Sequence, residues 1–350
     1  MIHRMLTIAA VLVALLSIAC PLAAVAQGTE WEENEIVPRA SPALSGEYAT
    51  LRNLFNPTVG SARLRVSDRV TWFPDEPVAA QSTHLGSVRE DFSAALPLWQ
   101  DTRNEWSAAT SVRGEFFHTH AILPDTGHPF PEELWHVRLG ATYRHQFDNG
   151  WIGGGTLTVG SASDRPFASI HELFAGGNAF LRVPQGVHNA WLFSLSYAPT
   201  SELGIPLPGV AYLFNPSEQL HAAIGLPVFV QYRPWDDLML EASYMLLRTV
   251  HARVTYRHFE PVRLFAGFDW SNESYRLADR LHDRDRFFSY DKRVSAGLLI
   301  TLSRQVALDL AGGYVFDRFY FEGQHYSDQN HNHIDVGNGP FASFQGRIRW

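Results

Sequence analysis

The segment ASFQGRIRW, residues 342–350, ends the chain and decides the fold class. Its apolar and polar residues alternate: Ala342, Phe344, Gly346, Ile348 and Trp350 share one face, while Ser343, Gln345, Arg347 and Arg349 share the other. A period of two, with one apolar and one polar face, is typical of a β-strand that meets water on one side only. The pattern predicts that the chain ends in a strand whose two faces lie in different environments.

The same alternation recurs through the chain. In the predicted hairpin 135–160, Trp135 and Leu139 lie on the apolar face, Arg138 lies on the polar face, and Asp148-Asn149-Gly150 is a tight-turn sequence. Further alternating segments are 62–73, 191–197, 238–246, 262–270, 294–302 and 306–316. Repeated strands with one apolar and one charged face favour a barrel that is apolar outside and polar inside.

The connections between these segments follow an order. Counted backward from Trp350, long gaps (321–339, 276–291, 199–208, 161–175, 121–133) alternate with tight turns (303–304, 260–261, 234–237, 184–186, 148–150). This order predicts an all-β fold, a transmembrane antiparallel up-and-down β-barrel with long outer loops and short periplasmic turns. We expect about 14 strands. The range is 12 to 16, because 209–227 fits either a loop or an extra hairpin.

Residues 1–26 have the features of a secretory signal: Arg4, then an apolar run, then Ala24-Val25-Ala26 at the expected cleavage site. A lipoprotein signal centred on Cys20 is disfavoured, because Ser17 stands where that signal requires leucine. Cleavage after residue 26 removes the only cysteine, so the exported protein has no disulfide.

The rest of the chain divides in two. Residues 27–60 show no steady period and are predicted to be a periplasmic arm or plug, and residues 61–350 form the predicted barrel. No later run approaches the 18 or so uncharged apolar residues that a membrane-spanning helix requires. This criterion does not exclude a membrane β-barrel, because the strands of a barrel alternate apolar and polar residues.

The final segment resembles the closing strand of outer-membrane β-barrels of Gram-negative bacteria, in which a C-terminal aromatic residue is read by the insertion machinery. The resemblance assigns this signal to Phe344, Ile348 and Trp350. In many members a glycine lies five residues before the end, whereas Gly346 lies four before.

The mature chain as a whole, including Pro-Gly-Val-Ala-Tyr at 208–212 and Arg-Pro-Trp-Asp-Asp at 233–237, resembles an uncharacterised outer-membrane β-barrel family from Gram-negative bacteria. The resemblance implies a location in the outer membrane. It also implies outer-membrane lipids, lipopolysaccharide and the barrel insertion machinery as partners. Such families have no assigned activity.

Composition excludes some functions. With 28 Lys and Arg against 36 Asp and Glu, the chain carries a net charge of −8 at pH 7 and has no basic block, which argues against nucleic-acid binding. It has no Gly-x-Ser-x-Gly motif and no Ser/His spacing that stands out, so we predict neither an enzyme nor a cofactor.

Two loop segments carry candidate binding residues. His325, His331 and His333 lie among Asp and Asn residues in the last long gap, where a divalent metal site is a weak candidate and a hydrated loop is favoured, because His spacing alone is a poor indicator. The mixed-charge run 276–293 suits either contact with lipopolysaccharide phosphates or a solvated loop, and alternating signs favour the loop.

The strongest functional pattern lies on the inward faces. If the first strand pairs with the last, five arginines share one wall of the lumen: Arg63, Arg65, Arg69, Arg347 and Arg349. They either form a positive constriction that favours anions, or are bound by acids that reach across and close the lumen, namely Glu241, Asp269, Asp309 and Asp317.

The sequence therefore leaves two functions open. The first is a non-enzymatic channel or passive transporter for small polar or anionic solutes. The alternative is a closed structural or surface-binding barrel. The oligomeric state is open.

Overall fold

The computed structural model describes residues 59–200, 205–245, 249–280 and 282–350. The predicted signal peptide lies outside these ranges. So does nearly all of the predicted arm, of which only Val59 and Gly60 are described. Within the described ranges, no helix has the length and apolar composition that crossing a membrane requires.

Most of the described residues lie in β-strands. Its strands are β1 Arg65–Pro77, β2 His84–Gln100, β3 Asn104–Thr119, β4 Glu133–Gln146, β5 Ile152–Ser163, β6 Leu173–Gln185, β7 Asn189–Tyr197, β8 Leu207–Ser217, β9 Leu220–Gly225, β10 Val228–Trp235, β11 Leu238–Met245, β12 Thr249–Tyr256, β13 Val262–Tyr275, β14 Arg286–Thr301, β15 Val306–Gly323, β16 Ile334–Val336 and β17 Gly339–Arg349. One 3-10 turn, Ile170–Glu172, lies between β5 and β6.

The strands close into a barrel. Each pairs antiparallel with the next along the chain, and β17 pairs with both β15 and β1, placing Arg65 opposite Arg349 and Trp72 opposite Ala342. The short strand β16 pairs with β15 and bridges to Val78 through Val336, and it is not one of the strands of the ring. The wall therefore has 16 strands. The predicted all-β antiparallel barrel is confirmed, and its strand number is the highest of the predicted 12 to 16.

The central estimate of 14 strands was two short, because the ambiguous segment 209–227 folds as part of a further hairpin. β8 and β9 pair through Ala211 opposite Gly225 and Leu213 opposite Ala223. Their inward face carries small and apolar residues, so the alternation of polar and apolar residues that reveals the other strands is absent here.

The predicted order of connections is also found. Short turns, among them 101–103, 218–219 and 236–237, lie at one end of the barrel, which we name the turn end. The long connections 120–132, 164–172 and 324–338 lie at the opposite end, the loop end.

The outer face of the barrel is apolar. Leu157 and Leu139 lie on neighbouring strands with their side chains more than half exposed, while charged side chains point inward. At the turn end, exposed tryptophans lie in or beside the described strands: Trp99, Trp106, Trp151, Trp191, Trp235 and Trp350. Tryptophan concentrates at membrane–water interfaces, so this belt and the apolar surface above it fit insertion in a bilayer.

Candidate functional site

The candidate site is the lumen, where the register directs the charged side chains. Of the residues predicted to line it, Arg69, Glu241, Asp269 and Asp309 are buried, and Arg65, Arg347 and Arg349 are partly buried. Arg63 precedes β1 and is exposed. The predicted signal residues Phe344, Ile348 and Trp350 are exposed on the opposite, outer side.

Two arginines at the seam between β17 and β1 have side-chain acceptors. Arg347 donates to Asp309 at 2.9 Å, and Arg69 donates to the side-chain oxygen of Gln345 at 2.8 Å. Asp309 is also 3.5 Å from Arg253 of β12. Of the four predicted acids, Asp309 therefore binds one arginine of the predicted wall, Arg347, whereas the acceptor of Arg69 is an amide. Of the other predicted acids, Asp317 contacts Lys292 at 2.7 Å, at an exposed position near the loop end.

Two ion pairs join strands that are not neighbours in the wall. Arg89 of β2 lies 3.5 Å from Asp291 of β14, although β15, β17 and β1 stand between those strands. Arg113 of β3 binds Asp91 on the adjacent strand and Glu273 on β13, which lies still farther around the ring. The pairs Arg89–Asp291 and Arg113–Glu273, which we name the cross-lumen pairs, therefore span the interior of the barrel.

Glu115 of β3 is the centre of this network. Its side chain is 0% exposed and accepts hydrogen bonds from Ser87 at 3.0 Å and from Arg89 at 3.2 and 2.9 Å. Arg318 of β15 lies 3.9 Å from it and donates to Ser87 at 3.1 Å. A buried carboxylate requires such compensation, because the cost of removing it from water is several kcal/mol. One acid thus links β2, β3 and β15.

An apolar cluster lies beyond these charges, toward the loop end. Phe130, from the β3–β4 loop, packs edge-on against Phe117, Phe287 and Tyr320, with ring centroids 5.0 to 5.5 Å apart. Leu123 of the same loop belongs to the same buried cluster. We name this cluster the outer seal. It brings one loop into contact with β3, β14 and β15.

A polar clamp holds that loop in place. Asn332, which precedes β16, is 0% exposed and has a left-handed backbone with φ of 47°. Its side-chain oxygen accepts from the backbone N–H of Asp125 at 2.9 Å and of Thr126 at 3.2 Å, and its amide donates to Glu322 at 2.5 Å. The clamp therefore fastens the β3–β4 loop to the β15–β16 connection.

The histidines predicted as weak metal candidates contact different partners. His331 lies 3.2 Å from Asp125, while His333 contacts the backbone oxygen of Gln329 at 2.8 Å and Asp335 at 2.9 Å. In the part of the chain that the structure describes, no group of three or more potential ligands is placed to hold a metal ion.

The mixed-charge run 276–293 joins neighbouring segments. Arg276 donates to the backbone oxygen of His171 at 3.0 Å, and Arg280 donates to that of Leu277 at 2.7 Å. Arginines of this run thus bind backbone of the β5–β6 connection and of their own loop.

The interior is apolar on one side. Residues of β5 to β10 form a buried cluster, with partly buried Val59 packed against it: Ile152, Phe180, Ala190, Leu192, Ala211, Leu213, Ala223 and Phe229. The sequence shows alternation in this wall at 135–160 and 191–197 but not in β8 and β9, because runs without a polar face carry no signal of period two.

Comparison with known proteins gives similarity of structure only. No family model matches the chain, and no curated protein matches it. An outer membrane channel from Pseudomonas putida F1 is 9% identical, with 84% of this chain and 96% of that chain covered and a TM-score of 0.36. Pseudomonas aeruginosa OccK7 (OpdD) is 11% identical, with 83% and 99% covered and a TM-score of 0.36. The Pseudomonas putida toluene transporter TodX is 7% identical, with 85% and 93% covered and a TM-score of 0.34.

Proposed function

We propose that this protein is a gated outer-membrane channel or passive transporter for small polar or anionic solutes, held closed in the described conformation. The proposal rests on one observation: two ion pairs, Arg89–Asp291 and Arg113–Glu273, span the lumen. Barrels of sixteen or more strands are wide enough to enclose an aqueous channel, whereas eight strands leave room only for side chains.

The membrane location rests on the surface of the barrel. The apolar outer face, the tryptophans at the turn end and the C-terminal aromatic strand suit a protein that the insertion machinery places among outer-membrane lipids. A detergent-free extraction that released the protein from membranes would contradict this location. The proposal includes no catalytic step.

The chemistry of the closure suits a gate. When two charged side chains separate into a water-filled lumen, they lose their mutual attraction but become hydrated again. The free energy of opening is the difference between these two large quantities. An apolar filling offers no such exchange, because its exposure to water is unfavourable throughout. A lumen closed by charged pairs is therefore easier to open than one closed by a hydrophobic core.

Solute release from vesicles tests the proposal. The refolded protein is reconstituted into vesicles loaded with chloride or with an uncharged sugar, alongside the double variant Glu273→Gln/Asp291→Asn. Asp148→Asn is the control, since Asp148 pairs with Arg103 at an exposed turn, 2.6 Å apart. We expect the double variant to release both solutes faster than the wild type and the control. Equal and negligible release from all three folded proteins would reject the channel.

The second candidate is a closed structural barrel, and the outer seal favours it. Phe130 and Leu123 cover the interior near the loop end with apolar contacts. Deletion of residues 121–130 separates the two functions: a channel gains conductance when this loop is removed, and a structural barrel that stays folded remains closed.

A further inference from the structure

A small cavity lies inside the wall formed by β12 to β15, β17 and β1. Its volume is about 30 Å³. Three guanidinium groups line it, from Arg69, Arg253 and Arg293, together with the carboxylates of Asp269 and Asp309. Hydroxyl groups complete the lining, from Thr71, Ser295 and Ser343.

Arg253 is held rigidly at this cavity. Its side chain is 3% exposed, its guanidinium carbon lies 3.7 Å from the ring centre of Phe265, and its Nη2 is 3.5 Å from Asp309. Its Nη1 is buried and has no hydrogen-bond partner. A buried donor without an acceptor costs roughly 1–3 kcal/mol, and more when it is charged, so an acceptor at this position would be stabilising.

The carboxylates of the lining are engaged by other groups. Asp269 contacts His251 at 2.7 Å, and Asp309 is bound by Arg347 at 2.9 Å. Arg69 is also buried and donates to Gln345, but forms no ion pair with any carboxylate in the described ranges. Arg293 pairs with Asp291 at 2.9 Å, so the donors of Arg69 and Arg253 are the ones that favour an anion over a cation.

We propose that this cavity binds one small monovalent anion, of the size of chloride, between Arg69 and Arg253. The cavity is small, about 30 Å³, which suits an ion of this size, and its lining offers guanidinium and hydroxyl donors. The hydroxyls of Thr71 and Ser343, directly opposite each other on β1 and β17, are further donors in the lining.

The site belongs to the closed barrel and does not require that the protein conduct. If the proposed channel is correct, the anion occupies the wall beside its path. Binding of chloride by a barrel that never conducts would support the site and reject the channel, so the two proposals fail separately.

Thermal unfolding of the full refolded chain in detergent tests the proposal. Sodium chloride replaces sodium gluconate at constant ionic strength, and the loss of β-structure is followed by circular dichroism. We expect the Tm of the wild type to rise and saturate with chloride, because a ligand that binds only the folded state stabilises it by mass action.

Two variants locate the effect. Arg253→Gln should raise the half-saturating chloride concentration at least tenfold. Arg103→Gln removes the same charge from an exposed turn and should respond as the wild type does. A wild-type Tm that is independent of chloride, or equal responses from Arg253→Gln and the wild type, would overturn the proposal and leave a water-filled cavity.

A second measurement covers the case in which Arg253→Gln does not fold. Broadening of the ³⁵Cl resonance by the wild-type protein, reversed by added bromide, is expected if chloride exchanges with this site. Thr71→Val, which keeps the shape of the side chain and removes one donor, should reduce that broadening. Broadening that bromide leaves unchanged, or that is equal in Thr71→Val, would contradict the assignment.

Discussion

Replacing Glu115 by glutamine removes one negative charge from the centre of the buried network. Glu115 accepts hydrogen bonds from Ser87 and from both Nε and Nη2 of Arg89, and it is completely buried. Removing one partner of a buried ion pair costs about 3–5 kcal/mol, because the remaining charge stays buried without compensation. Glutamine retains one acceptor oxygen, and Arg89 still has Asp291 at 3.5 Å. We therefore expect the free energy of unfolding to fall by about 3 kcal/mol, the lower end of that range.

Equilibrium unfolding in denaturant measures this loss. The refolded proteins are titrated in detergent micelles, and tryptophan fluorescence reports the free energy of unfolding. The slope with denaturant should be unchanged, since Glu115→Gln alters stability and leaves the buried surface the same. Glu132→Gln, at an exposed position in the β3–β4 loop, is the matched control and should remain within about 0.5 kcal/mol of the wild type. If Glu115→Gln also stayed within that limit, the network would not hold these strands together.

Two further substitutions and one control test the packing and the clamp. Gly297→Ala should lower the free energy of unfolding by about 1–3 kcal/mol, because its new Cβ would lie 2.2 Å from the backbone oxygen of Leu310 and 2.6 Å from the ring of Phe265. Gly346→Ala, where no atom lies within 4 Å, should change it by less than about 0.5 kcal/mol in the same titration, and equal losses would contradict this packing. Asn332→Gly keeps the left-handed backbone and removes the clamp, so limited proteolysis should cleave the 324–338 connection faster, and an unchanged cleavage rate would show that the clamp does not hold the loops.

The architecture was predictable because its signals are local. The alternation in 342–350 and the Asp148-Asn149-Gly150 turn each depend on neighbouring residues only, and the register of β17 with β1 follows once the barrel closes. Alternation did not identify β8 and β9 as strands. Their inward residues, among them Ala211 and Ala223, are apolar, so these strands have no polar face.

The contents of the lumen were only partly predictable. The sequence placed Asp309 and Arg347 on inward faces, and the alternative in which acids bind the arginines already named Asp309. It did not single out Arg113, Glu115 or Glu273, because a contact between β3 and β13 depends on the curvature of the whole wall and on no local spacing.

The outer seal was missed for a similar reason. Phe130 lies in a connection without strand periodicity, and only the folded arrangement brings it against Tyr320. Asn332 lies among the Asp and Asn residues around the weak metal candidates, but its side-chain oxygen instead holds the loop of Asp125.

Single-channel recording of Arg113→Gln beside the wild type tests most directly the claim that charged pairs across the lumen keep this barrel closed. Arg113 is the group that Asp91 and Glu273 share, so its loss frees β13 from β3. We predict that the wild type opens rarely in a planar bilayer and that Arg113→Gln opens often, with the same conductance per opening. Equal opening frequencies, or silence from both correctly folded proteins, would contradict the account.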